Sequence, residues 1–160
     1  MKRWQAIGLA TALLVVAALL ESGLSRHLAF FGARPNMLQV LAFSFALASR
    51  PGAAAVMACA TGVLQGGLSG ASLTAFTLGR TVVSFFFGFL ERVEINVNLP
   101  LGAGLVALAT GLDGALTALI SPPSDLGGFV RATIGSALYN GVLALPVYGL
   151  VRRLFRSKDD

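Results

Sequence analysis

Residues 52–70 read GAAAVMACATGVLQGGLSG, with small side chains at every fourth position: Ala54, Ala58, Gly62, Gly66 and Gly70. A four-residue step keeps these positions on one face of a helix. In lipid, a small-residue face lets a second helix backbone come close, and packing at short range drives association there. The stretch therefore predicts a membrane-embedded helix with one close-packing face. Its neighbours decide whether it stands alone.

They are equally apolar. The chain of 160 residues is 56% hydrophobic and 12% charged, with mean hydropathy +0.79. A soluble domain carries roughly 25% charged residues. Six apolar segments follow one another: Trp4–Leu20, Pro35–Ser49, Gly52–Leu68, Ala71–Leu90, Leu101–Ser121 and Phe129–Val151. A transmembrane helix needs about 20 residues, so the 15-residue second segment is the shortest candidate. Arg50-Pro51-Gly52 predicts a tight turn. Glu91–Pro100 and Ser121-Pro122-Pro123-Ser124-Asp125 are polar links, the latter unable to stay helical. No alternating strand pattern competes. The expected fold is an all-α integral membrane protein: one domain over residues 1–160 with six transmembrane helices.

Net charge is +5 and the pI is near 10.4. The basic residues sit at segment ends, which makes them orientation signals rather than a nucleic-acid footprint. With the N-terminus inside, Lys2, Arg3, Arg50, Arg92, Arg152, Arg153, Arg156 and Lys158 fall on the cytoplasmic side, against Arg26 and Arg34 outside. Both termini are therefore expected inside, with Trp4 in the inner interfacial belt. Lys2-Arg3 and the following apolar run resemble a signal peptide, but no A-x-A site follows, and a retained first helix is expected.

Two charges, Arg80 and Asp113, fall inside apolar spans. Such charges are costly and are paired or functional. Arg80 lies about 14 Å and Asp113 about 12 Å from the outer ends of their helices at 1.5 Å per residue, a match that predicts an ion pair. Gln39, Gln65 and Asn140 lie in the same half, so the five residues form either an outward-opening polar pocket or a polar seam between helices. A second small-residue row, Ala103, Ala107, Gly111 and Ala115, offers another packing face.

Catalytic parts are missing. There is no G-x-S-x-G, H-E-x-x-H or P-loop. The lone His27 lies in the first outer link, and Cys59 has no partner. A non-enzyme without cofactor or metal is the expectation.

Three stretches resemble the rod shape-determining protein MreD family: Arg34-Pro35-Asn36, GVLQGGLSGASL over residues 62–73, and Tyr139-Asn140-Gly141-Val142-Leu143 with Pro146 before the basic VRRLFR. Length, helix number and basic C-terminus also agree. The pattern departs at Gly66, where members often carry an acid, and at Thr74, where they often carry glycine.

The resemblance implies a non-catalytic scaffold of the cell-elongation and peptidoglycan-synthesis complex in the bacterial inner membrane. It would bind MreC directly and, through MreC, meet MreB, RodA and a class B transpeptidase. A second copy of the chain is a further candidate partner. The partner-binding residues expected from the ladder and the outer entrance are Pro35, Asn36, Gly62, Gly66 and Gly70. The family also looks like the S components of energy-coupling factor transporters, so an S-component-like solute binder is the alternative. It would use Gln39, Gln65, Arg80, Asp113 and Asn140. A small channel or exporter is a third reading, resting on the shared depth of the polar residues.

Overall fold

A computed structural model describes residues 3–23, 33–93 and 97–155. Lys2, Arg26, His27, the link at Glu94–Asn96 and the basic tail from Arg156 lie outside the described residues.

The described chain is helical: α1 Arg3–Gly23, α2 Met37–Ala46, α3 Pro51–Ser69, α4 Leu73–Phe87, α5 Phe89–Arg92, α6 Leu99–Ile120 and α7 Leu126–Phe155. Their ends follow local chemistry. Arg50 is extended (φ −63°, ψ 152°) as a residue before proline must be, and Pro51 starts α3. Gly70 ends α3 in the left-handed region (φ 63°), where glycine carries no penalty. The side chains of Ser72 and Asn98 accept N–H bonds from Ala75 and Leu101, capping α4 and α6. Asp125 accepts the Gly128 N–H at 2.9 Å where α7 begins. Gly88 interrupts the α4–α5 run with a turn, yet Leu73–Glu91 keeps the length of a span.

Five helical stretches are long and apolar enough to cross a membrane: Trp4–Gly23, Pro51–Ser69, Leu73–Glu91, Leu99–Ile120 and Leu126–Phe155. The chain is thus a multi-pass, all-α membrane protein. Six helices of spanning length were expected, and the second segment departs from that. α2 has 10 residues, about 15 Å at 1.5 Å per residue, half of a hydrocarbon core of about 30 Å. The physical reason lies in its surroundings. Nine of its residues, Leu38 to Ala46, are buried, with α1, α3, α4, α6 and α7 packed around it. A helix apolar on all sides belongs inside a bundle, and α2 is the core of this one.

α3 pairs with α4, and α6 with α7, as hairpins. In α3 and α4, a Cβ on Gly66 would lie 2.7 Å from Leu73 Cα, one on Gly62 would lie 2.6 Å from Thr77 Cα, and one on Gly88 would lie 2.7 Å from Pro51 Cα. The ladder of α3 is therefore closed at Gly62 and Gly66 by α4 of the same chain, while Gly70 stays exposed. In α6 and α7, Gly141 meets Ala103 and Ala107, Gly114 meets Thr133, and Gly102 meets the Tyr148 ring. The second small-residue row is thus also used internally at Ala103 and Ala107. Ala6, Arg50, Glu91 and Phe155 line one cleft, which puts the start of α1 and the end of α7 at the same end of the bundle.

Candidate functional site

The far end of the bundle is polar inside, because α2 stops short. Its N-terminus lies beside the middle of α7: the Ser136 hydroxyl donates to Arg34 O at 3.1 Å, and Asn36 N–H donates to Asn140 Oδ1 at 3.0 Å. A helix terminus at that depth carries N–H groups that lipid cannot satisfy. Each has a protein acceptor. Asn36 Oδ1 takes the Gln39 N–H at 2.8 Å. Glu21 Oε2, from the end of α1, takes the Met37 N–H at 2.7 Å. A carboxylate at a helix N-terminus also meets the positive end of the helix dipole.

Beneath this cap runs a side-chain network. Gln39 Nε2 donates to Asp113 Oδ2 at 2.7 Å, while Gln39 Oε1 accepts from Asn140 Nδ2 at 2.9 Å. Asn140 Nδ2 also approaches Thr110 Oγ1 at 3.3 Å. Arg80 Nε stands 3.6 Å from Asp113 Oδ2, an ion pair longer than a hydrogen bond. Arg80 also donates from its Nη1 to Thr61 O at 3.2 Å. The pair expected from matched depth therefore forms, in a buried setting.

Above α2 opens a cavity of about 430 Å³ lined by Glu21, Arg34, Pro35, Asn36, Gln39 and Gln65, with Ser22, Leu68, Ser69 and Ser136 around the wall. Gln65 lies against the Glu21 carboxylate. Of the five polar residues expected together, Gln39 and Gln65 line this cavity, and Arg80, Asp113 and Asn140 lie in the network around it. Pocket and seam are thus two levels of one structure.

The partner-binding expectation is corrected at the ladder. Gly62 and Gly66 are buried against α4, with Thr77 and Leu73 backbone where a partner helix was expected. Gly70 is explained by its left-handed cap. Pro35 and Asn36 line the cavity at this end of the bundle. Sequence reading also missed Glu21. Its position after a long apolar run, next to Ser22-Gly23, marks the end of a span. Only the buried start of α2 gives it a second role. Thr61 and Thr110 were missed too, because their hydroxyls bond back to Ala58 O and Val106 O as in any helix.

Among the described residues, no group of three or more His, Cys, Asp or Glu comes together as a metal site. No family model matches the chain, and no curated protein or solved structure matches it.

Proposed function

We propose that this chain is a non-catalytic scaffold of the MreD type in the bacterial inner membrane, oriented with the shared end of α1 and α7 in the cytoplasm. One observation carries the reading. The three stretches on which the resemblance rests are far apart in sequence, yet they meet at one place. Arg34, Pro35 and Asn36 from the first, and Gln65, Leu68 and Ser69 from the second, line the same cavity. Asn140 from the third receives the Asn36 N–H beneath it. Motifs that converge on a shared centre support a common fold more strongly than motifs scattered over a surface.

In this reading the chain holds MreC directly and reaches MreB, RodA and the class B transpeptidase through it. With the ladder closed by α4, the contact is assigned to α1, the least covered helix, only 6% buried in its apolar window. Between α1 and α3 a cleft of about 740 Å³ runs past Ala6, Ala10, Gly52, Ala53 and Ala60. Small side chains there allow the close backbone approach that favours helix association in lipid. The occupant assigned to it is the single transmembrane helix of the MreC-type partner. The test is depletion of the protein in its own bacterium while labelled peptidoglycan precursors are followed. Loss of ordered insertion along the cell wall is expected. Unchanged insertion and cell width on full depletion would overturn the proposal.

A further inference from the structure

The cavity above α2 has more polar capacity than the fold needs. Once the α2 N-terminus is satisfied by Glu21 and Asn36, the oxygen Oε1 of Gln65 still has no hydrogen-bond partner, although the residue is 8% exposed. A buried acceptor left unpaired is costly, and native structures pair such groups with water or ligand. Gln65 lines the cavity beside the Glu21 carboxylate, and Arg34 lines the same space. The lining thus brings together an unpaired acceptor, a carboxyl group and a basic residue. At about 430 Å³ the volume falls in the range of about 300–1,000 Å³ typical of small-molecule sites.

We propose that this cavity binds a small zwitterion carrying both an ammonium and a carboxylate, of amino-acid or dipeptide size. The ammonium donates to Gln65 Oε1 and is held by the charge of Glu21, while the carboxylate pairs with Arg34. A lone cation would leave Arg34 uncompensated beside it, and a lone anion would meet Glu21. A site that opposes the wrong charge as well as attracting the right one discriminates between them. The network of Gln39, Asp113, Asn140 and Arg80 lies around the site and keeps the Gln39 amide fixed between Asp113 and Asn140. Zwitterion binding depends on the cavity alone and stands independently of the scaffold reading.

The test uses the full chain in lipid nanodiscs, with thermal shift and calorimetry. The probes are L-glutamine and L-alanyl-L-alanine, compared with n-butylamine and butyrate. Saturable binding of at least one zwitterion is expected, with neither single-charge compound binding as tightly. Arg34→Gln, at an exposed position, and Gln65→Leu should each weaken that binding by about tenfold or more, the scale of one lost charged or hydrogen-bonded contact. Absence of binding by both zwitterions to monodisperse protein would overturn the proposal. So would butylamine or butyrate binding equally well, or affinity unchanged in both variants.

Discussion

Gly62 of α3 and Thr77 of α4 stand so close that a Cβ on Gly62 would lie 2.6 Å from the Thr77 Cα. The neighbour is backbone, which cannot rotate away as a side-chain tip would. Lipid offers no hydrophobic force between helices, so this contact holds the hairpin by dispersion at short range.

Gly62→Leu should therefore wedge α3 from α4. Overpacking costs about 1–3 kcal/mol even where neighbours can give, and here they cannot. Gly67 lies on the exposed face of the same helix, where a Cβ would meet no atom within 4 Å. Thermal unfolding in detergent should show a large loss for Gly62→Leu and little change for Gly67→Leu. Equal losses would contradict the α3–α4 packing.

Arg80 and Asp113 form a buried ion pair at 3.6 Å with side chains 0% and 2% exposed. Removing one partner strands the other charge, at about 3–5 kcal/mol, whereas replacing both with apolar groups is far milder. Arg80→Met alone should lower yield and melting temperature more than Arg80→Met combined with Asp113→Leu. A double variant worse than the single would argue against pairing.

Glu21 caps α2 through the Met37 N–H. Glu21→Gln keeps an acceptor oxygen, whereas Glu21→Leu leaves the part-buried Met37 N–H unpaired, at up to about 1–3 kcal/mol. Melting temperature should follow the order wild type, Gln, Leu. A leucine variant as stable as the glutamine variant would show that another group caps α2.

Asn140 joins two elements, accepting from Asn36 N–H and donating to Gln39 Oε1. Asn140→Leu removes both bonds, while Asn140→Asp keeps the acceptor. Hydrogen exchange at the start of α2 should accelerate strongly in the leucine variant and less in the aspartate variant. Equal exchange in both would remove Asn140 from the support of α2.

Much of this was legible from residue type and spacing. Long apolar runs mark α1, α3, α6 and α7, because spanning requires length and little charge. Arg80 and Asp113 announce each other by matched depth. The four-residue ladder identifies a close-packing face, but periodicity does not say which helix covers it, and α4 is the one that does. The short length of α2 was visible in its sequence. Its central position was not, since a run rich in Leu, Val and Phe looks alike whether it faces lipid or five neighbouring helices. Glu21 is the clearest omission. Its meaning depends on a helix that begins 16 residues later in the chain.

The scaffold reading is tested most directly by capturing the tagged protein from its own membrane at wild-type expression, after brief cross-linking, and identifying what comes with it. Strong enrichment of an MreC-type single-span protein is expected, reduced when Ala53→Leu fills the cleft between α1 and α3. No enrichment of such a protein over the untagged control would contradict it.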